Sequence, residues 1–204
     1  MFYWFVQITI HFLAKALFRL EAAGLENIPR KGGFILASNH RSHLDPPMVT
    51  VCISRKLYFL AKIELFKSQF FAKILKGLDC IELDRDGIGR SALKEGLRVL
   101  HRGRGLLIFP EGTRSKDGRL GFGKAGASVF AFGAGVPVIP TFISGSERAM
   151  PPKRHFITPD KIKVTFGKGL VPPKVIKKED RKQAYQKFAD RIMQEIANLE
   201  KEET

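Results

Sequence analysis

Short apolar runs alternate along most of the chain with stretches whose apolar positions recur every three or four residues, a pattern that predicts strands and helices in turn. Runs suited to strands occupy residues 33–38, 57–61, 80–83, 105–109, 136–143 and 161–166, and stretches suited to helices occupy 47–53, 65–76, 91–102 and 124–132. Near the end, Tyr185, Phe188, Ile192 and Ile196 lie at helical spacing and predict an amphipathic helix over 179–203 that docks on the rest. No repeat, low-complexity segment or linker divides the chain. The expected fold is therefore α/β, a single domain with a largely parallel sheet covered by helices.

The first twenty residues break this pattern. They are mostly apolar and aromatic, and their polar members Gln7, His11, Lys15 and Arg19 recur every fourth residue. On a helix these four form one narrow stripe. A bilayer span needs about 20 predominantly apolar residues, and two basic residues and a histidine inside the segment make it a poor one. It reads instead as an amphipathic helix lying in a membrane interface, with the stripe toward head groups or the domain and the aromatics in the acyl region. The bland alternative is a helix packed on the domain's own core. With no basic stretch before the apolar run and no small-residue cleavage site after it, a secretory signal is not expected. The chain divides accordingly into an interface helix, 1–24, and a domain, 25–204. A second basic and aromatic stretch, 66–76, extends the membrane-facing surface or simply forms an amphipathic helix on the core.

Composition narrows the partners. The 204 residues carry 35 Lys and Arg against 20 Asp and Glu, a formal charge of +15. Anionic partners follow. Nucleic acid is the first rival, but no helix-turn-helix, zinc-finger or RRM signature is present and the basic residues are dispersed among phenylalanines. Anionic lipid head groups account for the charge as well. The two cysteines, Cys52 and Cys80, lie in no Cys-x-x-Cys motif and suggest free thiols in a reducing compartment.

Two segments carry candidate chemistry. In Asn39-His-Arg-Ser-His-Leu-Asp45, His40 precedes Asp45 by five residues just after an apolar run, where a strand ends and a helix begins. Strand ends are where α/β folds place chemistry. A carboxylate on one ring nitrogen would fix the histidine's tautomer and raise its basicity, making a general base that activates a hydroxyl. Equally, Asp45 before Pro46 and Pro47 suits a helix N-cap, with His40 and His43 as ordinary polar residues of the turn. The spacing matches no familiar metal motif, so neither metal nor cofactor is expected. In Phe109-Pro-Glu-Gly-Thr-Arg-Ser115, the guanidinium of Arg114 with neighbouring hydroxyl and backbone donors suits a phosphate monoester. Glu111 would repel phosphate and more plausibly accepts from a substrate hydroxyl or holds an arginine.

Together and in this order, the segments resemble the glycerolipid acyltransferase family, whose members include lysophosphatidate acyltransferases. The first matches the family's Asn-His-x-x-x-x-Asp block. Lys62-Ile-Glu-Leu-Phe66 is similar to its Lys-x-Glu-Leu-Phe segment, and Cys80-Ile-Glu-Leu-Asp-Arg85 to its second block. The third block is met by residues 109–115, the fourth by Val136-Pro-Val-Ile-Pro140, and Phe122-Gly-Lys-Ala-Gly126 resembles the pattern between them. The likeness covers roughly residues 25 to 170. Cys80 and Glu82 depart from the family's second block, which weakens the case for Arg85.

The resemblance implies a sheet with helices on both sides and an enzyme moving a fatty acyl group from a thioester, on acyl carrier protein or coenzyme A, to the free hydroxyl of 1-acyl-sn-glycerol-3-phosphate. No Gly-x-Ser-x-Gly elbow is present and neither cysteine lies in a nucleophile motif, so direct transfer without an acyl-enzyme is expected. In that scheme His40 is the base and Asp45 steadies its imidazolium. Arg114, with the neighbouring Thr113 hydroxyl and with Lys62 and Arg85, would hold the acceptor phosphate, and Glu111 with Gly112 the glycerol end. Another lysophospholipid or an amino-acid lysolipid is the alternative acceptor, and a non-catalytic anionic-lipid or nucleic-acid binding module the alternative class. The expected location is the cytoplasmic face of the cell membrane, held peripherally.

Overall fold

Strands β2 (Phe34–Ser38) and β5 (Gly105–Ile108) run side by side in parallel, and every residue of both is buried. A strand covered on both faces has no polar side, which is why these segments read as continuous apolar runs. The computed structural model describes residues 2–62, 80–83, 88–115, 117–151, 156–173 and 177–203. Within them, β1 (Glu21–Ala23), β3 (Leu57–Lys62), β4 (Cys80–Leu83), β6 (Val138–Ser144) and β7 (Lys163–Phe166) complete a sheet of order β1-β7-β6-β2-β5-β3-β4. Strands β6, β2, β5, β3 and β4 are mutually parallel, while β7 is antiparallel to β6 and β1 is parallel to β7.

Helices cover both faces. On one side α3 (Arg90–His101), α4 (Gly126–Ala134) and α6 (Arg181–Glu203) bury Val99, Leu100, Phe130, Phe188, Ile192 and Ile196 against Ile35, Leu106 and Val138. On the other, α1 (Phe2–Phe18) and α2 (Asp45–Cys52) bury Ala14, Phe18, Met48 and Val49 against Phe34, Leu36 and Leu107. The alternation of side chains along β2 thus feeds two separate cores. The short helix α5 (Ser146–Ala149) follows β6. The predicted helix over 65–76 and the basic, aromatic stretch 66–76 lie outside the described residues.

Two elements differ from the sequence reading. First, α2 begins at Asp45 rather than 47, so Asp45 is its first residue and not its cap; Leu44 stands at the N-cap without a side-chain hydrogen bond. Second, β1 falls inside the stretch 1–24 assigned to the helix. Arg19 adopts a φ of 45° that turns the chain out of α1, and Glu21 then donates its N–H to Ile162 O at 3.0 Å, starting the edge strand. Gly24 ends β1 with a φ of 73°, where a Cβ would sit 2.1 Å from Phe166 O, so only glycine lets the strand leave this way.

Helix α1 takes one of the two orientations expected of it, with part of the polar stripe toward the domain and the aromatics outward. Gln7 is 7% exposed, whereas Phe5 and Phe12 are 70% and 69% exposed, with Trp4, Ile8, Leu13 and Leu17 also on the outer face. The cause is at the carboxyl end of α2, whose last carbonyls have no intrahelical donors. Gln7 Nε2 donates to Thr50 O at 2.9 Å and Ile53 O at 2.7 Å, and His11 Nδ1 lies 3.0 Å from Val51 O. Half of the polar stripe thus satisfies another helix's backbone, and the apolar face is left outward. Among the described residues, no helix is long and apolar enough to cross a membrane.

Candidate active site

The parallel strands β2, β5 and β3 end at one edge of the sheet, and the turns that leave them carry the two segments singled out above. This is the crevice outside the carboxyl ends of the strands. Asn39 fixes the first turn as it leaves β2. Its side-chain amide donates to Ile143 O at 2.9 Å and accepts from Ile143 N–H at 2.8 Å, locking the turn to β6.

His40 and Asp45 meet. Nδ1 of His40 lies 2.8 Å from Asp45 Oδ2, and the same oxygen accepts the backbone N–H groups of Arg41 and Ser42, each at 2.7 Å. The carboxylate is fully buried and its Oδ1 has no hydrogen-bond partner. Asp45 therefore caps the turn before its helix rather than the helix itself. A carboxylate has no proton to offer, so Nδ1 of neutral His40 carries the hydrogen and Nε2 keeps a lone pair. The ring stacks on Phe109 with centroids 4.0 Å apart and planes at 20°, and the side chain is 17% exposed. The arrangement is that of a general base with a fixed tautomer, open on one side.

The second segment wraps against the first. Ser115 N–H donates to His40 O at 2.8 Å, and His40 N–H donates to Glu111 Oε1 at 3.1 Å. Glu111 Oε2 accepts Gly121 N–H at 3.0 Å. Buried Glu111 thus ties the His40 turn to a second point of its own loop, between β5 and α4, through backbone amides, and among the described residues it pairs with no arginine. Gly112 turns the loop with a φ of 70°, and a Cβ there would meet Lys124 Nζ at 3.1 Å, so the glycine also leaves room for the lysine stretched across it. Thr113 is exposed. Nη1 of Arg114 is buried without a hydrogen-bond partner, a donor available to an anion.

The remaining predicted positions are less complete. Lys62 ends β3 in register with Leu83, at the same sheet edge as His40, but its side chain is outside the described residues, as is Arg85. Among the described residues no three His, Cys, Asp or Glu side chains gather as metal ligands. Sequence reasoning passed over Asn39, Phe109, Ser115 and Gly121 as builders of the site. For Asn39 a signal existed in the Asn-His pair itself; for the others the contact spans too much chain to be read locally.

The Acyltransferase family matches residues 19–144. A probable 1-acyl-sn-glycerol-3-phosphate acyltransferase of Mycoplasma pneumoniae is 37% identical over 137 residues, covering 64% of this chain and 51% of that protein. The 1-acyl-sn-glycerol-3-phosphate acyltransferase of Bacillus subtilis is 30% identical over 147 residues, covering 71% of this chain and 70% of its own. The crystal structure of the 1-acyl-sn-glycerophosphate acyltransferase from Thermotoga maritima superposes with a TM-score of 0.72 at 29% identity, covering 94% of this chain and 80% of that one. The chain spans about half the length of several curated relatives that it matches.

Proposed function

The chain belongs to the acyltransferase family, and on that premise we propose that it moves a fatty acyl group from an acyl thioester to the free hydroxyl of 1-acyl-sn-glycerol-3-phosphate, giving phosphatidic acid. The observation that carries the mechanism is the 2.8 Å contact of His40 Nδ1 with a buried Asp45 oxygen held by two backbone amides. Nε2 takes the hydroxyl proton as the oxygen attacks the thioester carbonyl carbon. The carbon–sulfur bond then breaks, and the thiolate leaves with the proton returned from His40. Asp45 stabilises the imidazolium in between. Arg114 Nη1 and Lys124, on either side of the Gly112 turn, are suited to the acceptor phosphate, with Lys62 and Arg85 as further candidates. Glu111 and Gly112 shape the loop against which the glycerol lies.

The defining experiment is transfer from a radiolabelled thioester, offered as acyl carrier protein and coenzyme A conjugates, to lysophosphatidate and a panel of other lysolipids in mixed micelles. Labelled phosphatidate is the expected product. Product from a different lysolipid alone would reassign the acceptor, and no product from any pair would reject the reaction in favour of a binding module.

Direct transfer needs no thiol. Burial pushes the Cys52 thiol up to about 12, Lys15 offsetting it only in part, and burial with the Glu82 charge also raises Cys80. Neither is a thiolate near neutral pH, and only the thiolate is a nucleophile. Replacing both with alanine is expected to leave kcat within about twofold; loss of turnover together with an acylated cysteine in the native protein would establish the covalent route.

The outward face of α1 supports docking on a bilayer, with the domain held on the cytoplasmic side, where the thioester is made. An amphipathic helix buries its apolar face at the head-group boundary. Changing Phe5 and Phe12 together to serine is expected to weaken binding to anionic vesicles about tenfold or more, since a buried phenylalanine contributes roughly 1.5–3 kcal/mol. Flotation reads this directly, and undiminished binding would leave α1 without that role.

A further inference from the structure

Arg41 follows the proposed base directly, yet its side chain points away from the reaction. Arg41 is 8% exposed, and its guanidinium carbon sits 5.3 Å from the centroid of Phe142 on β6. Its Nη2 donates to the Glu200 carboxylate on α6, and its Nε is buried without a partner. Glu200 lies outside the span 19–144 matched by the family model, so one end of this pair belongs to the active-site turn and the other to a helix beyond that span.

We infer that the Arg41 and Glu200 ion pair positions the catalytic base, with α6 acting as a strut that sets the His40 to Asp45 geometry. The link is short and continuous. The backbone N–H of Arg41 is one of the two amides that hold Asp45 Oδ2 at 2.7 Å, and Oδ2 is the atom that fixes His40 Nδ1. Arg41 is thus tethered at both ends, by its amide to Asp45 and by its guanidinium to Glu200. Asn39 and Ser42 restrain the same turn toward β6 and Met150 O, on other sides. Only Arg41 ties it to α6 among these. The pair is buried on the Arg41 side alone, so removing Glu200 leaves a largely buried guanidinium uncompensated.

A second glutamate separates positioning from mere support of the helix. Glu203, one turn on, accepts from Ser144 Oγ at 2.7 Å and from Thr165 Oγ1, and its carboxylate is 3.4 Å from Lys163 Nζ. It anchors the same helix end without touching Arg41.

The test compares Arg41→Met, Arg41→Lys, Glu200→Leu and Glu203→Gln in the full chain. It measures kcat and KM for lysophosphatidate, which rests on the reaction proposed above, and the ¹⁵N spectrum of the His40 ring, which does not. Arg41→Met and Glu200→Leu are expected to lower kcat by about 10- to 100-fold, the scale of a small misplacement of a reacting group, with KM within about twofold. In both, His40 passes from a single Nδ1–H tautomer to a mixture, Arg41→Lys restores part of the loss, and Glu203→Gln changes neither readout. A retained tautomer in Glu200→Leu, or equal damage from Glu203→Gln, overturns the inference. Should Arg41→Met fail to fold, Glu200→Leu decides, because that side chain is 34% exposed. Should the native protein transfer no acyl group, the proposed reaction falls while the His40 spectra still decide the role of Arg41.

Discussion

Replacing His40 with alanine is expected to lower kcat by about 10² to 10⁴, the range that a general base contributes, while the melting temperature and the affinity for lysophosphatidate stay close to native. Among the described residues the imidazole hydrogen-bonds to Asp45 and stacks on Phe109 at an open edge of the sheet. The tethers of this turn are its backbone groups and its neighbours: His40 N–H on Glu111, His40 O on Ser115, and the Asn39 amide on Ile143. Alanine keeps all of these. Arg114→Ala should show the opposite division, raising KM for lysophosphatidate with a smaller change in kcat, because its buried Nη1 is placed to bind rather than to move a proton. Initial rates with both substrates varied, beside a thermal melt of each variant, separate the two. Native turnover in His40→Ala would remove the central claim of the mechanism.

Asp45 divides into two experiments because its carboxylate does two things. In Asp45→Asn, an oxygen at the Oδ2 position still accepts from His40, Arg41 and Ser42, so the turn keeps its shape, but the negative charge that steadies the imidazolium is gone. A fall in kcat of about 10³ to 10⁴ is expected, with KM little changed. In Asp45→Ala the acceptor itself is lost. The Arg41 and Ser42 amides, 2.7 Å from Oδ2 in the native turn, are then unsatisfied in a buried place at about 1–3 kcal/mol each, and the melting temperature should drop along with activity. A chemical denaturation series on the two variants reads the difference. Equal stability loss in both would mean that charge, rather than hydrogen bonding, holds the turn.

The central strands were legible because burial on both faces leaves a signature that needs no knowledge of the partner: Phe34 to Ser38 and Gly105 to Ile108 are apolar runs wherever they pack. The same holds for α3 and α6, whose spacing of apolar residues reports one covered face. His40 and Asp45 were legible for a related reason. Five residues is the reach of a single turn between a strand end and a helix start, so their contact is local.

The orientation of α1 was not legible to the same degree. Its periodicity defines two faces but not which one turns inward, and the usual rule points the apolar face at the core. The stripe faces the domain here, as one of the two expected orientations has it, because Gln7 meets carbonyls 43 and 46 residues away at the end of α2. Glu111 is a similar case. A carboxylate beside an arginine reads as a ligand or an ion-pair partner, and it becomes a tie between loops only because His40, 71 residues back, brings its amide to the same point.

The reversal of β7 and β1 against the parallel block, and the partnership of Arg41 with Glu200 across 159 residues, belong to the same class. Hydrophobic periodicity and turn chemistry act over a few bonds and are written in consecutive residues, so elements, covered faces and the candidate base follow from them. Which buried donor meets which acceptor depends on how those elements close on one another. In a core where every polar group must find a partner, only the closed tertiary structure makes that choice.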